Sequence, residues 1–282
     1  MIVKFHSTGT GRGSGPVEYL LGKDGQRDGA TLDRGEPRTI VALIDSSPYA
    51  KKYTSGVLSF AESDLPREVK DKLMSSFELA LLPGLDKDQF ACLWVEHRDK
   101  GRLELNFVVP NIELQSGKRL QPYFDRVDRP RINAWQTIQN EELQLHDPND
   151  PANKRELVTA NNLAKSKVLA AEQITYGLLK LAESGEIRHR DDVKKCLQKS
   201  GFTIARETPK SLSIADPDGG RNIRLKGMIY EQNFRFGSGL RNEIDTASER
   251  YRASSTERVQ EARKTYHRGV EIKRAHNQQR HR

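Results

Sequence analysis

Residues 90–109, FACLWVEHRDKGRLELNFVV, contain two largely apolar runs that are separated by a short polar turn. A glycine in a short polar loop between two such runs is typical of a β-hairpin. We therefore predict two antiparallel strands over 90–98 and 102–110, buried within a sheet. A buried hairpin is an unexpected place for His97, Glu104 and Asn106.

The register of this hairpin decides whether the three polar side chains meet. With a two-residue loop at positions 100–101, His97 faces Glu104 directly. Asn106 then lies on the same face, because side chains alternate along a strand. A three-residue loop with a bulge at Gly101 would instead shift the pairing by one residue and separate His97 from Glu104. We favour the first register because it brings the three polar side chains to one patch.

The three side chains form a mixed ligand set of one imidazole nitrogen and two oxygens. Such a set suits Mg²⁺ or Mn²⁺ better than structural zinc, which prefers thiolates and imidazoles. Three protein ligands would leave coordination positions for a substrate or water. The alternative is an exposed polar face of the hairpin, where His, Glu and Asn are all common. The pattern alone leaves both interpretations open.

The N-terminal region combines a predicted strand at 2–6 with a glycine-rich loop, TGTGRGSG, at 8–15. The loop matches neither G-x-G-x-x-G nor G-x-x-x-x-G-K-[ST], so it predicts no standard nucleotide site. The following helix carries Tyr19. A phenol is a poor nucleophile unless a nearby cation polarises the phosphate that it attacks. Taken alone, Tyr19 fits a packing residue better, and His6 is interpreted as the end of the first strand.

The remaining pattern predicts an α+β chain. Further strands are expected at 38–44, 202–206, 211–215 and 222–230, and helices at 64–82, 130–145, 155–184 and 191–200. Beyond residue 239 the sequence is helical, polar and basic, with only a thin apolar stripe. We therefore divide the chain into a catalytic region at 1–185, a small helix-plus-hairpin unit at 186–239 and a basic helical tail at 240–282.

Charge and composition restrict the partners. The 282 residues carry a net charge of +8, which predicts an anionic partner. Residues 251–282 alone hold nine Lys/Arg and three Asp/Glu. The two cysteines, Cys92 and Cys196, give neither a metal-binding spacing nor a disulfide framework. We find no signal peptide and no apolar run of roughly 20 residues, so we expect an intracellular protein without membrane insertion.

Together these residues resemble a known family. The segment 97–110, HRDKGRLELNFVVP, resembles the third motif of the plasmid mobilisation relaxases. Most of these relaxases have three histidines in the motif, whereas the MbeA/MobA-like branch has a His-Glu-Asn (HEN) triad. That triad corresponds to His97, Glu104 and Asn106. The same branch carries its nucleophilic tyrosine early, and Tyr19 in PVEYLLGKD matches that position; the resemblance covers about residues 1–240.

The resemblance implies a fold and a reaction. The fold is an antiparallel five-stranded sheet flanked by helices, with the metal motif on central strands. The reaction is metal-assisted transesterification, in which one DNA strand is nicked at a plasmid transfer origin and its 5′ end is held on Tyr19. This phosphotyrosyl intermediate would initiate conjugative mobilisation. Mg²⁺ or Mn²⁺ would be the cofactor, and Asp99 would support His97 from outside the ligand shell.

A relaxase must also hold single-stranded DNA, by base stacking on aromatic rings and by contacts between cations and phosphates. The candidates for these contacts are Arg12, Lys23, Tyr123, Arg126, Arg221, Arg224 and Lys226. The resemblance further implies accessory mobilisation proteins and a type IV coupling protein as partners, in the bacterial cytoplasm. Two other functions stay open: a rolling-circle replication initiator, whose tyrosine usually follows the metal motif, and a non-catalytic DNA-binding mobilisation accessory protein.

Overall fold

The computed structural model describes residues 1–7, 9–98, 101–153, 165–237 and 240–281. The chain forms two compact units, one of residues 1–147 with 254–282 and one of residues 148–253. Within the described part of the chain, no helix combines the length and the apolar character that crossing a bilayer requires.

The first unit is built on an antiparallel sheet of five strands. In chain order these are β1 (Ile2–Phe5), β2 (Ala30–Arg34), β3 (Tyr53–Ser59), β4 (Leu93–His97) and β5 (Glu104–Pro110). Their order across the sheet is β1-β3-β5-β4-β2. The predicted hairpin, formed by β4 and β5, therefore lies in the interior of the sheet with β5 as the central strand. The α+β class and the five-stranded sheet confirm the predicted fold.

Four helices of the first unit flank this sheet. They are α1 (Ser14–Leu21), α2 (Pro37–Ser46), α3 (Arg67–Leu81) and α4 (Asp125–Glu142). On one face, α3 and α4 contribute Phe77 and Trp135 to an aromatic cluster. The sheet contributes Trp94 and Phe107, and the Phe77 ring contacts both of them. This cluster forms the centre of the larger core.

The opposite face of the sheet is covered by α1 and α2. Leu20 of α1 and Ile44 of α2 are buried against Val95 and Val108 of the central hairpin. The N-terminal helix thus lies on the face that carries the odd-numbered residues of β4, which include His97. This placement decides which side chains of the hairpin the first helix can meet.

Segment 38–44 belongs to α2, so the strand predicted there is wrong. The Glu36 carboxylate accepts hydrogen bonds from two backbone N–H groups of the first turn and caps the helix. Buried Ile40 and Ile44 lie four residues apart, which places them on one helix face. The β-branched residues of this segment had favoured a strand. Strands β2 and β3, in contrast, have no counterpart among the predicted strands.

The second unit contains helices and a three-stranded antiparallel sheet. Its elements are α5 (Lys165–Glu183), α6 (Arg190–Lys199), β6 (Ile204–Thr208), β7 (Ser211–Ile214), β8 (Ile223–Lys226) and α7 (Leu240–Ala253). The order of the strands is β6-β7-β8. The helix and the three strands predicted between 191 and 230 correspond to α6 and this sheet.

The C-terminal helix α8 (Ser255–His281) packs against α4 of the first unit. Buried Lys273 donates a hydrogen bond from Nζ to the carbonyl oxygen of Gln121 at 2.7 Å. Buried Asn277 donates from Nδ2 to the carbonyl oxygen of Pro83 at 3.0 Å. Polar side chains therefore form much of the buried face of α8, although the hydropathy pattern shows only a thin apolar stripe.

The structural units differ from the segments drawn from the sequence. The basic tail at 240–282 divides, because α7 belongs to the second unit and α8 to the first. The second unit also begins before residue 186, at Pro148. The functional division into a catalytic region, a DNA-binding unit and a tail stays a prediction.

Gly56 in β3 has no room for a side chain. A Cβ atom there would lie 2.5 Å from Cζ of Phe107, whose ring covers the glycine. We expect Gly56→Ala to lower the free energy of unfolding by about 1–3 kcal/mol through overpacking. The measurement is denaturant unfolding followed by tryptophan fluorescence. Gly15→Ala is the matched control, since nothing lies within 4 Å of a Cβ atom there; equal stability of the two variants would contradict the prediction.

Candidate active site

His97, Glu104 and Asn106 lie on one face of the sheet. His97 pairs directly with Glu104 across the hairpin, and Val95 pairs with Asn106. Because side chains alternate along each strand, the three polar side chains point to the same face. The register predicted from a two-residue loop is therefore confirmed, and the shifted register with a bulge is excluded.

Helix α1 is joined to this face through His97. The His97 side chain is buried, and its Nε2 lies 2.7 Å from the carbonyl oxygen of Leu20. A carbonyl oxygen only accepts, so Nε2 carries the proton and donates. In the neutral ring the lone pair is then on Nδ1. A backbone carbonyl that receives one ring N–H is a common way to orient a histidine whose other nitrogen binds a metal.

Neighbouring groups also orient Glu104 and Asn106. The Glu104 carboxylate accepts a hydrogen bond from Nη2 of Arg102 at 2.8 Å. Asn106 is buried, and its Nδ2 donates to the carbonyl oxygen of Val95 at 3.3 Å. Since the amide nitrogen is engaged in this way, the amide oxygen is the end of Asn106 that can act as a ligand.

His6 lies beside this patch, although the sequence pattern gave it no role. Its backbone N–H donates to the carbonyl oxygen of Ser55 at 2.9 Å, and its Nδ1 lies 3.2 Å from the Ser55 hydroxyl oxygen. Partial burial lowers the pKa of His6, while the nearby Glu104 carboxylate opposes this shift. The imidazole is therefore mainly neutral at pH 7. Spacing within one hairpin does not reveal this residue, because it comes from another strand.

Tyr19 projects from α1 into solvent. Its side chain is 64% exposed, whereas Val17 and Leu20 of the same helix are buried. The guanidinium carbon of Arg27 lies 5.5 Å from the centre of the Tyr19 ring. The interpretation of Tyr19 as a packing residue is therefore wrong. The structure brings its helix to the triad and leaves its phenol open to a large substrate.

The donor set fits a divalent cation. Among the residues that the structure describes, no group of three or more His, Cys, Asp or Glu could hold a metal ion. The triad has only two residues of these types, since its third donor is the amide of Asn106. One imidazole nitrogen with carboxylate and amide oxygens suits Mg²⁺ or Mn²⁺. Asp99 lies outside the described residues, so its support of His97 stays a prediction.

Comparison with known proteins identifies relatives of this chain. DNA relaxase MbeA of Escherichia coli is 56% identical over 281 residues, which are 100% of this chain and 54% of that protein. Cryptic plasmid protein C of Neisseria gonorrhoeae is 54% identical over 201 residues, which are 71% of this chain and 97% of that protein. The model of the MobA/VirD2-like relaxase nuclease domain matches residues 40–141.

The chain belongs to the MobA/VirD2-like plasmid mobilisation relaxases. It spans about half the length of the relaxase MbeA. The similarity to MbeA extends beyond the predicted range of 1–240 and includes α8. The relaxase nuclease model includes the triad and begins after Tyr19. No solved structure matches this chain.

The predicted DNA contacts of the relaxase differ in their surroundings within the first unit. Three of these predicted contacts are exposed cations, namely Arg12, Lys23 and Arg126. Tyr123 is instead stacked on Phe5 with ring centres 3.6 Å apart, and its hydroxyl donates to Asp125 at 2.7 Å. Burial, together with Asp125, raises the pKa of Tyr123 to about 12. Its ring is thus already partnered on one side.

The other predicted DNA contacts lie in the second unit of the relaxase. Arg224 and Lys226 alternate with buried residues along β8, so both project from its exposed side. Arg206 of β6 lies on the same side, because it pairs with Ser213 and Ser213 pairs with Arg224. Arg221 is exposed just before β8. These residues form the basic face of β8. It follows from the alternation of buried and exposed residues along that strand.

Proposed function

We propose that the protein nicks one strand of plasmid DNA at a transfer origin and holds the 5′ end on Tyr19. The observation that carries this proposal is the hydrogen bond between His97 and the Leu20 carbonyl oxygen, at 2.7 Å. It ties the helix that bears Tyr19 to the sheet face that bears the triad. An exposed phenol on this helix is accessible to a DNA backbone, which a closed pocket would exclude.

The proposed step exchanges one phosphodiester bond for another. The phenolic oxygen of Tyr19 attacks the scissile phosphorus, and the bond from phosphorus to the 3′ oxygen breaks. The phenol proton passes to solvent, and the 3′ oxygen takes up a proton. No bond energy is lost to hydrolysis, so the reverse reaction can reclose the strand. The Arg27 guanidinium, close to the Tyr19 ring, places positive charge beside the attacking group.

The proposed cofactor is a divalent cation, Mg²⁺ or Mn²⁺. His97 through Nδ1, Glu104 and Asn106 would hold it, and Asp99 would support His97. When bound, such a cation neutralises charge on the scissile phosphate. The role of Leu20 is to fix the ring plane and the tautomer of His97 before the cation arrives.

Metal binding can be tested without catalysis. We expect Glu104→Gln to weaken Mn²⁺ binding by at least about tenfold, because a ligand charge is removed without loss of volume. Titration followed by electron paramagnetic resonance measures free Mn²⁺ directly. Glu68→Gln is the matched control, since Glu68 is an exposed carboxylate of α3. Equal Mn²⁺ affinity in both variants would reject the triad as the metal site.

The exposed cations outside the candidate active site are the proposed contacts to the rest of the DNA. Arg12, Lys23 and Arg126 would meet the single strand near the nick, and the basic face of β8 would meet the adjacent duplex. The partners expected for this function are accessory mobilisation proteins and a type IV coupling protein. The reaction would take place in the bacterial cytoplasm.

One experiment tests the proposed function. The protein is incubated with Mg²⁺ and supercoiled plasmid that carries its transfer origin, and the mixture is then denatured. We expect a nicked plasmid with protein attached to the 5′ end. Nicking without attached protein would indicate a nuclease that uses water and would overturn the tyrosine step. Retarded but intact DNA would indicate a non-catalytic accessory protein.

A further inference from the structure

A cavity of about 600 Å³ opens where β1 ends alongside β3. β1 pairs with residues 56–59, so the first part of β3 extends beyond it. The walls include His6, Lys51 and Tyr53, together with residues from 119–125, the segment that leads into α4. The volume lies within the range of about 300–1,000 Å³ that is usual for small-ligand sites. All of these residues belong to the first unit.

Phe124 presents an apolar ring at this cavity. Its side chain is 51% exposed, yet its main chain is fixed, because its N–H donates to Oδ2 of Asp128 at 2.6 Å. Asp128 is held in turn by Arg131 at 2.7 Å. The preceding residue, Tyr123, is stacked on Phe5 with an angle of 2° between the rings. A rigid main chain therefore keeps an apolar ring in water, which is unfavourable unless a partner covers it.

The charge that the cavity offers to a ligand is positive. Lys51 and Arg119 contribute cations, and Nε of Arg119 is buried without a hydrogen-bond acceptor among the described residues. Asp125 supplies the only carboxylate of the described wall residues. That carboxylate already accepts hydrogen bonds from the Tyr123 hydroxyl at 2.7 Å and from Nε of Arg129 at 3.0 Å. An anionic group of a ligand can thus bind the cations Lys51 and Arg119, because the one carboxylate of the described wall is already engaged.

The wall at 119–121 is supported from behind by α8. Lys273 binds the carbonyl oxygen of Gln121 at 2.7 Å, and Nε of Arg280 binds the carbonyl oxygen of Arg119 at 3.2 Å. Both contacts restrain the main chain that carries the cation and the amide of the wall. A site that is formed before its ligand arrives loses less conformational entropy on binding.

We propose that this cavity binds one unstacked nucleotide of single-stranded DNA, with its base on Phe124 and its phosphate against Lys51 and Arg119. The amide of Gln121 can exchange hydrogen bonds with the edge of the base. An exposed aromatic ring beside cations is the combination that single-strand binding requires. The choice of DNA as ligand rests on the proposed function.

The position of the cavity places this nucleotide beside the candidate active site. His6 lines the cavity, and its Nδ1 lies 3.2 Å from the hydroxyl oxygen of Ser55. Ser55 pairs with Val108 and therefore shares the sheet face of Asn106. A strand that crosses the triad can thus reach the cavity along the same face of the sheet.

Photo-cross-linking tests the proposal. The probe is an oligothymidylate of about twelve nucleotides that carries 5-iodouracil, a length within the site size of single-strand binding domains. After irradiation and trypsin digestion we expect the cross-link on the peptide Leu120–Arg126. Fluorescence anisotropy with the labelled oligothymidylate should show that Phe124→Ala weakens binding about ten- to hundredfold. Phe124→Trp should restore binding, whereas Phe124→Leu should not.

Val127→Ala is the matched control for Phe124→Ala, since Val127 is 61% exposed near the start of α4 and does not line the cavity. Unchanged affinity of Phe124→Ala, with cross-links outside 120–126, would overturn the proposal. The proposed function can fail separately, because this binding needs neither nicking nor Tyr19. A cross-link at 120–126 in a protein that forms no plasmid adduct would support the cavity and reject the nicking reaction; an adduct without that cross-link would reject the cavity alone.

Discussion

Replacing Tyr19 with phenylalanine is expected to abolish the protein–DNA adduct and to lower plasmid nicking by at least about a thousandfold. The change removes one oxygen from a side chain that is 64% exposed, so the fold should be retained. The ring and its contact with Arg27 are kept, so affinity for single-stranded DNA should change little. The adduct is measured on a denaturing gel with a labelled DNA strand, and nicking on agarose.

Tyr176→Phe is a closely matched control for this change. Tyr176 is 57% exposed on a helix, and the Lys180 ammonium lies 4.6 Å from the centre of its ring. It thus shares the exposure and the neighbouring cation of Tyr19. This variant should nick and form the adduct as the parent protein does. An adduct of normal yield in Tyr19→Phe would remove Tyr19 as the nucleophile.

Phe77→Ala is expected to cause the largest loss of stability, about 3–5 kcal/mol. Phe77 is fully buried, and its ring contacts Phe107 and Trp135 with ring centres 4.9 and 5.0 Å apart. Its removal leaves a cavity among rigid aromatic rings, which cannot close around it. The chain has two tryptophans, Trp94 and Trp135, and both contact Phe77. Their fluorescence during denaturant unfolding therefore reports on the first unit.

Leu79→Ala provides the control on the same helix. Leu79 is 65% exposed two residues after Phe77, so its replacement should change the free energy of unfolding by less than about 0.5 kcal/mol. A loss of similar size in both variants would show that the aromatic cluster is not the centre of the core.

The sequence predicts the central hairpin because the residues that determine it lie close together in the chain. A short loop fixes the register, and alternation then places His97, Glu104 and Asn106 on one face. The same local rules identify α3 and the sheet of the second unit. The five-stranded topology follows from the family resemblance, because the residues of β2 and β3 do not by themselves predict strands.

Other features depend on contacts between distant segments and could not be read locally. The β-branched run at 38–44 is helical because Glu36 caps it and because Ile40 and Ile44 face the hairpin. His6 comes near the triad only through the pairing of β1 with β3. α8 docks through Lys273 and Asn277, and burial of polar residues leaves no periodic signal in hydropathy.

Because α8 packs against α4, the two units complete their contacts at different times during synthesis. The second unit is one continuous stretch, residues 148–253, and can complete its contacts as soon as that stretch leaves the ribosome. The first unit completes its contacts later, since Lys273 follows Gln121 by 152 positions. The second unit can thus be complete while the first unit, whose sheet and helices α1–α4 lie within residues 1–147, still lacks its contacts with α8.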